Sequence, residues 1–293
     1  MGHLGLGGEP QPVARSAHPG RRDTRGRRRR GRTGGGRLGW RGPGRVSADG
    51  CGDPDGCRVP DPDDVDLRRL PSVILSARTP LRRGHKSRYR AQEAVPARPD
   101  LPPVTQMSRF APVRGQAHVY VARREIAALL ESAFHSLVPD SPRIHWPQLV
   151  HWSLSHVTLR RDVRLVDLRD PALTALGLDR DQLVASDPAH YPCTRPWAER
   201  LVGRHIGGKP TVGLLWHSRQ AEIHAEQGVR PLLADVLVGE QAEVAVLWPT
   251  TRQHLLTAEG TPTPLSTGRG LALVQDLANL LGAPPPLNGP ANH

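Results

Sequence analysis

The chain has 293 residues and a formal charge of +12, but the charge is not spread through it. Residues 1–50 carry 12 Arg against Glu9, Asp23 and Asp49, a net of +9, whereas residues 101–293 hold 18 basic and 17 acidic groups. The strongly basic balance thus describes one end, and it excludes a uniformly basic nucleic-acid-binding domain.

Residues 1–50 also hold 14 of the 30 glycines, among them Gly34-Gly35-Gly36, with almost no apolar periodicity. Such a segment buries too little surface to offset the entropy of ordering its backbone. It reads as a disordered Arg/Gly-rich leader over 1–65. The run Arg27-Arg28-Arg29-Arg30 confines any nucleic-acid contact to residues 21–45, through phosphate neutralisation. No window approaches the ~20 apolar residues of a membrane span, and the N-terminus lacks the apolar core of a secretory signal, so a cytoplasmic location is expected.

From 66 to 104 the composition turns to Pro, Asp and Arg. Its one apolar stretch, Val73-Ile74-Leu75, is an added strand or a docking segment inside what otherwise reads as linker. After Met107 short apolar runs recur at the intervals of a packed domain, here placed at 105–285, with 286–293 as a disordered tail. His118 to Ala122 is strand-like, and Glu125 to Leu137 follows as a helix with Ile126, Leu130, Ala133, Phe134 and Leu137 on one face. Val163 to Leu168 is a second strand, running into Asp170-Pro171 as the cap and first residue of a short helix stopped by Gly177. A helix over Arg195 to Arg204, ended by Gly207-Gly208, precedes a buried strand Thr211 to Trp216. Glu243 to Trp248 is another strand, and Gly270 to Leu281 a closing amphipathic helix stopped by Gly282. Four to six short strands among helices predict a single mixed α/β or α+β domain with a mixed sheet. Trp146, Trp152, Trp197, Trp216 and Trp248 lie in apolar surroundings and are assigned to the core.

Cys51, Cys57 and Cys193 are odd in number, at spacings that suit neither a zinc motif nor a disulfide framework, and the 14 His are scattered. Reduced thiols and no metal are therefore expected. A Gly-rich phosphate loop, a nucleophile elbow and an H-E-x-x-H helix are all missing from the sequence. What remains is a set of polar residues at the ends of regular elements: Arg109-Phe110 before the first strand, Tyr120 within it, Glu131 eleven residues later, and Ser218-Arg219 after the buried strand.

With Val119-Tyr120-Val121-Ala122, Ala128-Leu129-Leu130-Glu131, the Val163 to Leu168 strand and the Thr194 to Ala198 region, these residues resemble the RES family, named for its Arg, Glu and Ser. The resemblance covers roughly 105–285 and fades after Ser218, where Glu222 to Gln227 is unusually polar. It implies a fold similar to ADP-ribosyltransferases and a toxin of a bacterial type II toxin–antitoxin pair that degrades NAD by hydrolysis or phosphorolysis. NAD would be a substrate, with no cofactor. The partner implied is an Xre-type helix-turn-helix antitoxin, and a homodimer is compatible.

The family's functional positions fall on Arg109, Glu131 and Ser218 as catalytic residues and on Arg109, Tyr120 and Ser218 as substrate-binding ones. The residue types suit the reaction. A guanidinium binds phosphate oxygens bidentately, and a carboxylate stabilises the oxocarbenium-like state formed as nicotinamide leaves. An aromatic ring packs on nicotinamide or ribose, and a serine hydroxyl hydrogen-bonds a ribose hydroxyl or the carboxamide. Two other readings compete: a nucleic-acid-binding accessory protein acting through the leader, and a catalytically inactive RES-like protein.

Overall fold

The computed structural model describes residues 51, 56–97, 108–113, 115–135, 137, 143–219, 239–250 and 254–284, all within one unit, Gly42–His293. The leader up to residue 50, the tail 286–293 and the stretch 222–227 lie outside the described residues.

Ten strands are found among them: β1 (Ser72–Leu75), β2 (Pro80–Lys86), β3 (Val119–Ala122), β4 (Trp152–Leu159), β5 (Val163–Asp167), β6 (His205–Ile206), β7 (Lys209–Pro210), β8 (Gly213–His217), β9 (Glu243–Leu247) and β10 (Leu256–Pro264). The α-helices are α1 (Glu125–Leu130), α2 (Ala172–Ala175), α3 (Tyr191–Leu201) and α4 (Gly268–Leu281). Eight strands form one sheet in the order β1-β5-β8-β9-β3-β2-β4-β10, while β6 and β7 make a separate hairpin. Among the described residues only β5 and β8 pair in parallel, so the sheet is mixed, as expected, and the fold is α+β.

The connection between β1 and β2 fixes the sheet's shape. These strands stand five places apart, roughly 24 Å in a flat sheet. Yet only residues 76–79 join them, and Leu75 to Pro80 can reach at most about 18 Å. The sheet must therefore curl. Leu75, Leu81, Val119, Val157, Leu159, Leu165, Leu215, Leu247 and Leu256 pack together on one face of it. The other face packs Ala122, Val166, Leu214, Trp216, Val244 and Val246 against α1, α3 and α4 through Leu129, Leu130, Trp197, Val274 and Leu277.

Several expectations are corrected. Residues 66–104 are not merely linker, because β1 and β2 are built into the sheet, with β2 between β3 and β4. The pattern of β2 hid it: its inward residues are Leu81, Arg83 and His85. Arg83 donates to the carbonyls of Arg90 (3.1 Å) and Ala91 (2.6 Å), and His85 Nε2 lies 2.8 Å from Ser155 Oγ, so polar residues replace the expected apolar alternation. The leader does not extend to residue 65 either. Val59 and Pro62 are buried, and Trp197 Nε1 donates to the Pro60 carbonyl at 2.8 Å.

Helix α1 ends at Leu130, not Leu137. The Ser132 hydroxyl bonds back to the Ala128 carbonyl at 2.5 Å, and Glu131 becomes the C-cap. Phe134 and Leu137 are still buried, so the apolar spacing marked the core positions but not the helix end. Pro171 rather than Asp170 caps α2, the Asp170 carboxylate accepting instead from Thr174 Oγ1. α3 begins at Tyr191 and carries Pro196 inside it, whereas Gly207 and Gly208 turn the small hairpin. At the last helix, Gly282 takes φ 67° and closes α4 as expected. Trp197, Trp216 and Trp248 are core; Trp146 and Trp152 are only partly buried. Among the described residues, no helix is long and apolar enough to cross a membrane.

Candidate active site

The end of α1 and the end of β8 meet on the helix-covered face. Glu131 stands where α1 stops, and Ser218 directly follows β8. Ser218 Oγ donates to Glu131 Oε1 at 2.6 Å, while its backbone N–H is held by the Ala242 carbonyl at 2.9 Å. Ser218 is fully buried and Glu131 half-buried, so a fixed hydroxyl orients a carboxylate that still reaches solvent.

The close approach of α1 to β2 depends on Gly84. A Cβ there would lie 2.0 Å from Ser132 Oγ and 3.0 Å from the Ala128 carbonyl. Only glycine lets the last turn of α1, and hence Glu131, sit this near the sheet. A small cavity walled by Tyr120, Ala128, Glu131, Ser132 and Val244 lies beside the carboxylate.

Arg109 lies within electrostatic reach of Glu131, is not among the residues that line this small cavity, and is 5 % exposed. Its NH1 donates to the Leu183 carbonyl (3.2 Å) and to the carbonyl (2.8 Å) and hydroxyl (2.6 Å) of Ser186. The guanidinium lies 5.2 Å from the Tyr191 ring centre, and its own carbonyl accepts from Thr194 Oγ1. Burial lowers the Arg109 pKa, and the nearby Tyr191 and Glu131 oppose that shift. Among the described residues no carboxylate pairs with Arg109, and its hydrogen bonds all leave from NH1.

Tyr120 lines the cavity beside Glu131 and is also tied to the loop of Arg109. Its hydroxyl sits 2.7 Å from Ser108 Oγ and accepts from the Phe110 N–H at 3.2 Å, so it grips the loop that carries Arg109. The ring meets Trp216 edge-on at 6.0 Å, and burial pushes the hydroxyl pKa up. The structure thus joins Glu131 directly to Ser218, brings Arg109 within electrostatic reach of Glu131, and places Tyr120 both on the cavity beside Glu131 and on the Phe110 N–H next to Arg109.

Sequence reasoning passed over Tyr191 and gave Arg219 no role of its own. Burial raises the Tyr191 pKa against the pull of Arg109. Arg219 pairs with Asp187 and reaches the Ser186 carbonyl at 3.4 Å, so it braces the segment that holds Arg109. Its adjacency to Ser218 was the available signal; Tyr191, inside a polar stretch rich in proline, offered none. A second group, Arg123, Asp167, Arg169 and the buried Glu243, ties the ends of β5 and β9 together. The three cysteines are free thiols, as expected, but they do not lie apart. Sγ of Cys51, Cys57 and Cys193 and a ring nitrogen of His190 converge although 133 positions separate Cys57 from His190.

A search of curated proteins finds no match. Among solved structures, the chain is similar to one in the Mycobacterium tuberculosis MbcT–MbcA toxin–antitoxin complex, at 16 % identity and a TM-score of 0.43, over 70 % of this chain and 91 % of that one. Comparison with protein-family models matches residues 79–255 to the RES domain, a span that begins at β2 and contains Arg109, Tyr120, Glu131 and Ser218: the chain belongs to the RES-domain family.

Proposed function

We propose that this RES-domain protein cleaves the nicotinamide–ribose bond of NAD, acting as the toxin of a type II toxin–antitoxin pair under an Xre-type antitoxin. The observation that carries the reading is the Glu131 carboxylate, held by the buried Ser218 hydroxyl at 2.6 Å and within electrostatic reach of the buried Arg109 guanidinium, which lacks a carboxylate partner among the described residues. A buried cation held by carbonyl dipoles, a hydroxyl and the Tyr191 ring, with no carboxylate paired to it among the described residues, attracts an anionic ligand. NAD brings two phosphates. Nε and NH2 of Arg109 form the edge left for them.

In the reaction, the bond from ribose C1′ to the nicotinamide nitrogen breaks and nicotinamide leaves with the electron pair. Positive charge grows on the ribose, and the Glu131 carboxylate stabilises it; oxygen of water or of phosphate then bonds to C1′, the hydrolytic branch releasing one proton. Ser218 keeps the carboxylate aimed. Tyr120 acts as a positioning residue for the Arg109 loop.

The test is to incubate the purified chain with NAD, with and without inorganic phosphate, and to resolve the products. Free nicotinamide with ADP-ribose supports hydrolysis, and ADP-ribose phosphate formed only with phosphate supports phosphorolysis. Intact NAD under both conditions overturns the proposal.

A further inference from the structure

Four side chains that the proposed reaction does not use meet at the start of α3. The Sγ atoms of Cys51, Cys57 and Cys193 and a ring nitrogen of His190 all lie within 4.8 Å of one another. His190 Nδ1 is 3.4 Å from Cys51 Sγ and 3.9 Å from Cys57 Sγ. A tetrahedral zinc ion with Zn–S bonds near 2.3 Å has ligand–ligand edges of roughly 3.8 Å, so these separations suit one ion at their centre. His190 and Cys193 are buried, whereas Cys51 and Cys57 are half-buried.

We propose that Cys51, Cys57, His190 and Cys193 form a closed tetrahedral site for one zinc-class divalent ion. Three soft thiolates and an imidazole select such an ion over magnesium, calcium or manganese, which prefer oxygen donors. Four protein ligands leave no open coordination position, so the ion is structural and takes no part in the chemistry. Loading needs no redox partner: each thiol gives up a proton to solvent and binds as thiolate. Cys193 in the first turn of α3 gains further from the positive end of that helix.

A disulfide explains the cluster less well, because two cysteines satisfy it and leave unexplained why a third thiol and an imidazole meet at the same point. The metal also has a structural consequence. His190 precedes Tyr191, which faces Arg109, and Cys193 precedes Thr194, whose hydroxyl holds the Arg109 carbonyl. An ion at this point fastens the start of α3 behind Arg109 and ties it to Cys51 and Cys57, both of which lie before the span matched to the RES domain. That fastening explains why Val59 and the Pro60 carbonyl are packed against this helix.

The experiment uses the untagged full chain, dialysed against metal-free buffer with a thiol reductant. Elemental analysis should give about one zinc per chain. Metal-free protein prepared with a chelator should bind cobalt(II) and show the visible bands of a tetrahedral thiolate complex. The double variant Cys51→Ser/Cys57→Ser should hold less than about a fifth of the wild-type metal; should that variant fail to fold, the wild-type cobalt spectrum decides alone. The proposal is overturned by wild-type protein that carries no zinc and gives no thiolate–cobalt bands, by a mass showing a disulfide among the three cysteines in non-reduced protein, or by a folded double variant that retains full metal.

Discussion

The Glu131 side and the Arg109 side of the candidate site, its two walls in the proposed reading, are built in opposite ways. On one, Glu131 ends a six-residue helix, is half-exposed, and is held through a single hydroxyl. On the other, Arg109 is buried and gripped through Leu183, Ser186, Tyr191 and Thr194, with Tyr120 and Arg219 bracing the segments around it. A charge developing in a transition state is best met by a group that stays accessible and oriented. A charge present throughout the reaction is best met by one that is fixed and partly desolvated. The Glu131 wall suits bond breaking, and the Arg109 wall suits binding.

The largest expected effect separates the walls through chemistry. Glu131→Gln keeps the shape and the Ser218 contact but removes the negative charge, and turnover should fall by roughly 100-fold or more with little change in KM. Steady-state kinetics checks it, and turnover within a few-fold of wild type would end the assignment. On the opposite wall, Arg109→Lys keeps the charge but loses the planar fork. We expect kcat/KM to drop by roughly 10- to 150-fold, carried mainly by KM. A lowered melting temperature with normal kinetics would instead make Arg109 a scaffold residue.

A smaller effect comes from the support under Glu131. Gly84→Ala forces a methyl into Ser132 and the Ala128 carbonyl, so the end of α1 must shift outward. About 1–3 kcal/mol of stability should be lost, together with turnover but not NAD affinity. Unchanged denaturant midpoints and rates would show that the helix end does not depend on this contact.

The last effect comes from two buried histidines, His85 on β2 and His118 just before β3. Burial lowers His85 and His118 from 6.5 to about 4, so both are neutral in the folded chain near neutral pH. The unfolded chain binds more protons as pH falls. Their contribution is therefore complete above about pH 6.5 and lost as pH drops towards 4. His118→Leu removes one such group, whose Nδ1 has no hydrogen-bond partner among the described residues, and should flatten this loss by about 1–3 kcal/mol in urea titrations at pH 7 and 4.5. An equal slope in the variant would place the acid sensitivity elsewhere.

Both sides of the site were partly legible in the sequence. Glu131 and Ser218 stand at the ends of segments whose apolar spacing is plain, Arg109 lies in the loop before β3, and the order of these pieces pointed to the RES domain. β3, β5, β9 and α4 were legible for the same reason, each being a continuous apolar run with clear stops. β2 was not legible, because its inward positions include Arg83 and His85, satisfied by backbone carbonyls and Ser155 rather than by apolar neighbours. The stop of α1 at Leu130 was missed because Phe134 and Leu137 keep the helical period after the helix has ended. Nothing local marked Tyr191 or the meeting of Cys51, Cys57, His190 and Cys193, since only the tertiary fold brings those residues to their partners.

The division of labour between the walls is tested most directly by NAD affinity in protein that cannot turn it over. Calorimetric titration of NAD into Glu131→Gln, and into the double variant Glu131→Gln/Arg109→Lys, isolates binding from chemistry. We predict wild-type-like affinity, judged against the KM of the active protein, for the first and at least about tenfold weaker binding for the second. Equal affinity in the two, with the double variant folded, would contradict the assignment of Arg109 to substrate binding.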